Sequence, residues 1–329
     1  MASPNLSEII TTTLRNRTGK LADNVTKNNA LLRVMKEKGS LQTVSGGRTI
    51  VQELEYAENS TYMRYSGYET LNIQPSDVFT AAEFDWKQAA VAVTISGLEG
   101  DVINTGEEAI IDLLRSRIKN AEKTFANNLN ADMASDGTAT SSKQIGGLKL
   151  LVEDTGSSSS STVGGISRST WSFWHNYAYD ATTDGLAAAT AANIQGYMNT
   201  VSLAITRGTD RPQLIIADSL YYKLYLASLQ TIQRITDDKT AAAGFTAIKY
   251  YGPGASCDVY FDGGYGGALS ANHMYFLNPD YIKFRPHRSR NMVPLETVQS
   301  INQDATVKLI VFAGNMTLSN AFLQGVLKD

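Results

Sequence analysis

Thr49-Ile50-Val51-Gln52-Glu53-Leu54-Glu55-Tyr56 opens a polar ribbon that runs from about Arg48 to Ser96 and leads straight into a long helix. Ile50, Leu54 and Tyr56 fall on one face and Val51, Glu53 and Glu55 on the other, the two-residue period of a strand. Asn59-Ser60 and Ser66-Gly67 are turn signals, and Tyr62, Met63, Arg64, Tyr65 and Tyr68 lie between and after them. Leu71-Asn72-Ile73 resumes the strand pattern, Pro75-Ser76-Asp77 breaks it, and Ala89 to Ile95 reads as a more deeply buried strand. A two-stranded ribbon is marginal in water by itself. This one is expected to lie on another surface, with a neighbouring subunit as the natural candidate, and so points to assembly rather than catalysis.

The helix after it is expected over about 105–135. Thr105 and Glu108 have the spacing of a capping box, and Glu107 and Glu108 suit the positive end of the helix dipole. Ile110, Leu114, Ile118, Ala121, Phe125 and Leu129 recur at steps of three and four to make one apolar stripe. Asp136-Gly137 is the expected C-cap. A helix of about 30 residues is a rod on the order of 45 Å, against a mean of about 11 to 12 residues.

On the N-terminal side, residues 1–45 read as a polar arm with two short apolar faces, Leu6 to Leu14 and Ala30 to Met35, the second ended by Gly39. Both a helix pair packed on its own domain and an arm that reaches a neighbour fit that pattern. On the C-terminal side, Gly146 to Val152 reads as a short strand entry and Gly156 to Ser161 as a mobile surface loop. Residues 191–206 are helical in pattern, Gln213 to Ala217 form a buried strand, and Asp218 caps a further helix. Phe245, Val259 and Phe261 fall in further strands, Met274 to Leu277 is another, and Ala305 to Leu318 is one strand or a hairpin-linked pair.

Composition excludes several classes. The chain has 329 residues, 43% hydrophobic and 19% charged, ordinary for a globular protein with ample core. The net charge of −3 carries no global signal for nucleic acid or membrane, but eight cations against three carboxylates make residues 1–48 basic. A single cysteine, Cys257, allows no intrachain disulfide and no thiolate metal cluster, and fits a reducing compartment. Met1 to Leu6 has neither the charged nor the apolar region of a signal peptide, and no apolar run approaches the ~18 residues of a membrane span.

The search for chemistry returns no catalytic, cofactor-binding or metal-ligating set. His175, His273 and His287 are far apart and match no ligand spacing. There is no nucleophile elbow, no Gly-x-x-x-x-Gly-Lys-Ser/Thr loop and no Gly-x-Gly-x-x-Gly loop. Gly263 to Gly267 reads as a flexible turn, while Asp237-Asp238 and Glu107-Glu108 read as a turn and a helix start. The basic run Lys283 to Arg290 reads as a loop paired with acidic partners of its own or a neighbouring chain, in preference to a phosphate contact.

The order of arm, two-stranded loop, long helix, mixed α/β region and closing strand resembles the major capsid proteins of tailed bacteriophages, which share the Hong Kong 97 fold. Local texture carries the likeness too: Gln144-Ile145-Gly146-Gly147-Leu148, Leu214-Ile215-Ile216-Ala217-Asp218, Asn278-Pro279-Asp280-Tyr281-Ile282-Lys283 and Val307 to Asn315. The resemblance implies an α+β capsid fold. Its parts would be an N-terminal arm (1–45), a mainly extension-loop segment (46–96), a peripheral domain (97–159) with a spine helix, a mainly axial domain (160–290), and a return to the peripheral domain (291–329). It implies no enzyme and no cofactor, but self-assembly into pentamers and hexamers of an icosahedral shell around double-stranded DNA, contacted non-specifically. Tyr62, Met63, Arg64, Tyr65 and Tyr68 would then touch an adjacent subunit, because tyrosine and arginine suit interface anchors. The short arm implies a separate scaffolding protein, and a portal is a further expected partner. No membrane is implied, and the shell would be assembled in the host bacterial cytoplasm and persist in the virion. The rival readings are an encapsulin-like nanocompartment, a mixed-β hydrolase or carbohydrate-binding protein, and a basic-armed nucleic-acid binder.

Overall fold

The computed structural model describes residues 30–98, 113–229, 248–252, 255–262, 267–296, 298–299 and 303–329. The capping box at Thr105 and Glu108, Asp237-Asp238, Phe245, residues 263–266 and residues 1–29 lie outside them. The strands are β1 (Ile50–Glu55), β2 (Phe79–Phe84), β3 (Lys87–Ser96), β4 (Thr162–Val163), β5 (Ile166–Ser167), β6 (Tyr177–Asp180), β7 (Leu214–Ala217), β8 (Ile248–Gly252), β9 (Ala255–Phe261), β10 (His273–Leu277), β11 (Ile282–Pro286), β12 (Val293–Pro294), β13 (Val298–Gln299), β14 (Ala305–Leu318) and β15 (Gly325–Lys328).

Two large sheets organise the chain. In the first, β14 is the central strand. One edge pairs with β3 from Ala305↔Ser96 to Gly314↔Lys87, and the other edge pairs in turn with β13, β12 and β11. Ala305–Leu318 therefore makes one long strand, not a hairpin, buried without a break from Ile310 to Leu318. The helix Leu113–Ala134 lies across this sheet, with Ala121 against Val93 and Ile310, and Phe125 against Phe312. Its stripe through Ala121, Phe125 and Leu129 is buried as the periodicity requires. The helix stops at Ala134, and Gly137 takes the left-handed backbone, φ +76°.

The second sheet has the order β6-β15-β10-β7-β9-β8, with parallel pairs at β15–β6 and β7–β9. Both faces are buried, which is why its strands read as continuous apolar runs. Leu214, Ile216, Tyr275, Leu277 and Val326 face the core shared with the first sheet. Ile215, Ala217, Met274, Phe276 and Leu327 face a second core under the helices Ile194–Ala204 and Ser219–Ser228. The Asp218 carboxylate accepts from the Tyr221 amide at 2.9 Å and caps the second of these helices.

Several expectations change. Gly146 to Val152 is not a strand entry: Leu148–Leu151 form a helical turn that buries both leucines. The reason is a close approach at Gly147, where a Cβ would lie 2.5 Å from the Asp132 and Met133 carbonyl oxygens of the long helix. Gly147→Ala should therefore overpack this junction and lower stability by about 1–3 kcal/mol, read from a urea midpoint. An unchanged midpoint would show that the turn can retreat from the helix. Leu71-Asn72-Ile73 forms no strand, because Asn72 Oδ1 accepts from the Gln74 amide and Pro75 has no amide to give. Ala89 to Ile95 is a paired strand but not a deeply buried one, since only Val93 is fully covered. The Gly156 to Ser161 stretch packs: Ser159 is buried with its hydroxyl on Glu153, and Gly156 abuts Ala178.

At the N-terminal end, Leu31, Val34 and Met35 of the helix Ala30–Glu37 lie in the chain's own core, and Gly39 ends it at φ +71°. Residues 40–44 then run parallel to β11, with Gln42 donating to the Phe284 carbonyl at 2.9 Å and Arg288 to the Val44 carbonyl at 2.9 Å. For these residues the packing is on their own chain. At the other end, β15 joins the second sheet, so residues 291–329 are divided between the two sheets and do not all return beside the long helix.

Candidate assembly interface

The ribbon has a well-held root and an open tip. β1 and β2 pair antiparallel from Ile50↔Phe84 to Glu55↔Phe79 and bury Ile50, Leu54, Ala82 and Phe84 in the shared core. Glu83 donates its amide to the Gly164 carbonyl at 2.9 Å, which ties β2 to the β4–β5 hairpin. Gly164 sits at φ +60° with a Cβ position 2.9 Å from that of Ala82, so only glycine fits this crossing. Asn315 on β14 fixes the exit: its Nδ2 donates to the Asp85 carbonyl at 2.8 Å while its Oδ1 accepts from the Gly146 amide at 3.1 Å. Trp86 Nε1 donates to the Gly47 carbonyl at 2.9 Å, and Arg285 donates to the Gln52 side chain.

Beyond the Tyr56 amide, which donates to the Val78 carbonyl at 3.0 Å, the two legs part. Residues 57–78 form no strand and are held by short side-chain turns: Asn59 Oδ1 accepts from the Thr61 amide at 2.9 Å, and Glu69 accepts from the Ser66 amide at 3.1 Å. All five residues singled out from the sequence stand in solvent. Tyr62 is 76% exposed, Tyr65 64% and Tyr68 fully, with Met63 and Arg64 also exposed. Leu71, Ile73 and Phe79 extend the apolar exposure along the same ribbon, the first two at positions whose spacing alone predicts a strand. Apolar side chains gathered on one segment in this way mark an interaction surface.

An open cavity of about 510 Å³ lies at the root, between β2 and the β4–β5 hairpin. Tyr56, Trp171 and Phe173 form its aromatic wall, with Tyr56–Trp171 centroids 5.5 Å apart at 74° and Trp171–Phe173 centroids 6.1 Å apart at 64°. Asp77 and Phe79 complete the rim.

No histidine joins a reactive set. His175 Nε2 lies 2.6 Å from the Arg168 carbonyl, and His287 packs edge-on to Trp86. Among the described residues no group of three or more histidine, cysteine or acidic side chains is placed to hold a metal. The first half of the Lys283 to Arg290 run is not a loop: Ile282–Pro286 is β11, Phe284 is in the core, and within the chain Arg285 donates to Gln52 and the Val51 carbonyl rather than to an acid. Among the described residues no helix is long and apolar enough to cross a membrane.

One ion pair escaped the sequence reading because its partners are far apart in the chain. His273 Nε2 lies 3.1 Å from Asp154 Oδ1, close enough for charge pairing although off the hydrogen-bond axis. Burial pulls the imidazole pKa down, but Asp154 and the Ala271 carbonyl outweigh it and leave the value raised above 6.5. Burial likewise pushes the Asp154 carboxyl up, and His273 reverses this to leave it below 3.8. The stabilisation from His273 is complete below 6.5 and disappears as pH rises through its folded value. That from Asp154 is present above 3.8 and disappears as pH falls through its folded value. Thermal unfolding should therefore show a contribution greatest between these limits, and His273→Gln should flatten the alkaline side of the profile. An unchanged profile would mean that the pair does not charge.

No protein-family model matches this chain, and no curated protein matches it. Solved structures do. A chain of the Cyanophage A-1(L) capsid asymmetric unit is 14% identical with a TM-score of 0.65, over 95% of this chain and 96% of that one. The capsid of Myoviridae Phage XM1 gives 10% and 0.54, over 95% and 96%. The holo-SrpI encapsulin complex from Synechococcus elongatus PCC 7942 gives 9% and 0.56, over 98% and 95%. The class is thus an α+β protein with the Hong Kong 97 type capsid fold across nearly its whole length. At such identities the likeness is one of fold, and the proteins that share it are shell subunits rather than enzymes.

Proposed function

We propose that this chain is the major capsid protein of a tailed bacteriophage, assembling as pentamers and hexamers of an icosahedral shell that encloses double-stranded DNA. The observation that carries this reading is the ribbon of residues 57–78, which exposes Tyr62, Met63, Tyr65, Tyr68, Leu71 and Ile73 on a fold otherwise used for shells. Residues 46–96 act as the extension loop, the helix Leu113–Ala134 as the spine of the peripheral domain, and the sheet containing β7 and β10 as the heart of the axial domain. The basic head, +5 over residues 1–48, suits packaged DNA or an acidic scaffolding protein. A separate scaffold and a portal complete the assembly in the bacterial cytoplasm, and the product is the virion capsid.

A second reading is supported by the encapsulin likeness, which covers 98% of this chain: a nanocompartment shell loaded with protein. Negative-stain microscopy of the expressed chain, with nuclease protection of the purified particles, separates the readings. Shells or ring-shaped capsomers, with protected DNA once packaging factors are supplied, support the capsid. Particles that retain protein cargo and never protect DNA support the compartment. A small soluble oligomer with neither rings nor shells overturns both.

A further inference from the structure

Among the described residues the aromatic groove at the ribbon root has no occupant: none of residues 62–68 lines it, although Trp171 and Phe79 on its wall and rim are 45% and 75% exposed. Its chemistry matches the ribbon's own tip. The tip offers three exposed tyrosines, which bury large area at little loss of conformational freedom, and a methionine, whose thioether packs well on aromatic rings. Charge selects the same pairing. Arg64 stands at the tip over the Tyr62 ring at 5.9 Å, and Asp77 is the one charged residue among those that line the groove. Asp77 lines the groove, and Glu55 and Glu58 are exposed close by in the chain. Tip against tip would oppose two arginines, and root against root would oppose carboxylates. Tip against groove brings Arg64 to Asp77.

We infer that the groove lined by Tyr56, Asp77, Phe79, Ile166, Trp171 and Phe173 receives the ribbon tip, residues 62–68, of a second copy of this chain, head to tail. The inference rests on the assembly reading above and assigns its receiving surface. Tip and groove are different patches on one chain, so each contact leaves a free tip at one end and a free groove at the other. Such a contact propagates until it closes a ring.

Cysteine pairs test this directly, because the native Cys257 is buried and burial pushes its thiol up to about 12, which keeps it out of the reaction. Tyr65→Cys combined with Ser167→Cys, treated with a short bismaleimide in assembled particles, should give a covalent ladder that climbs past the dimer to the size of the capsomer. Tyr65→Cys combined with Lys223→Cys, on the outer face of the Ser219–Ser228 helix, should give none. Trp171→Ala should raise the concentration needed for assembly by about tenfold. Asp77→Lys should raise it too, and Arg64→Glu added to Asp77→Lys should restore it. Particles that form normally with no Ser167 ladder, or with an equal Lys223 ladder, overturn the docking site while leaving the assembly reading intact. A ladder that stops at the dimer overturns the head-to-tail arrangement. A parent chain that forms neither rings nor shells removes the assembly reading and this inference with it.

Discussion

Replacing Arg168 with leucine is expected to cost about 3–5 kcal/mol of subunit stability, a large share of the roughly 5–15 kcal/mol that holds a typical domain folded. Arg168 is fully buried. Its Nε donates to the Trp174 carbonyl at 3.0 Å and its Nη2 to the Leu151 carbonyl at 2.6 Å, while Nη1 lies 3.3 Å from Glu153 Oε1. Burial lowers its pKa and Glu153 opposes the shift, the signature of a charge taken out of water and paired. The guanidinium ties the Leu148–Leu151 turn and Glu153 to the Trp171–Tyr177 segment that feeds β6. Leucine would take the donor from three carbonyls, those of Leu150, Leu151 and Trp174, at about 1–3 kcal/mol for a buried group, and leave a carboxylate without its countercharge. Arg168→Lys should recover less than half, because one ammonium cannot serve three carbonyls and a carboxylate at separate positions. Adding Glu153→Gln to Arg168→Leu should recover part of the loss by removing the orphaned charge. The check is urea unfolding of the unassembled subunit followed by circular dichroism. A loss below about 1 kcal/mol would mean that the cluster relaxes to water and is no clamp.

Arg168 shows where sequence reading ends. In Ser167-Arg168-Ser169 it looks like any surface arginine, and its acceptors are mostly backbone carbonyls, which leave no mark in a sequence. The His273–Asp154 pair is invisible for a related reason, since nothing local links the start of β10 to the segment after the Leu148–Leu151 turn. What was legible was periodic and long. The stripe through Ala121, Phe125 and Leu129, the continuous runs of β7, β10 and β14, and the cap at Asp218 each follow from residues close in the chain. Short apolar runs were ambiguous. Leu148 to Val152 could be strand or helix by pattern, and the close approach of Gly147 to the long helix decided it. Leu71 and Ile73 had strand spacing, yet Asn72 and Pro75 spent the backbone on turns. The tyrosine-rich tip was legible as a segment with no core of its own. The groove was not, because its wall joins residues near 56, 79, 166 and 171.

Deleting residues 60–68 is expected to abolish assembly while leaving the subunit folded. The two halves of this expectation have separate physical grounds. Folding should survive because none of these residues belongs to either large core, and the hydrogen bonds lost stay within the ribbon, such as Ser66 to Glu69, Thr61 to Asn59 and Ser60 to Ser76. The root, from Ile50↔Phe84 to Glu55↔Phe79, keeps its full register, so the urea midpoint should move by no more than about 0.5 kcal/mol. Assembly should fail because the deletion removes three exposed tyrosines, a methionine and Arg64 together. Tyrosine and arginine anchors contribute about 2 kcal/mol or more each where they are buried at a contact, and about 2.7 kcal/mol is already a hundredfold in affinity. A shell repeats the contact at every subunit, so the threshold concentration should rise by at least about a hundredfold and particles should be missing from velocity gradients. Tyr65→Ala and Tyr68→Ala alone should fall between the parent and the deletion. Normal particles of normal stability from the deleted chain would show that the tip is solvent-facing in the assembly, and the tyrosines would then need another partner.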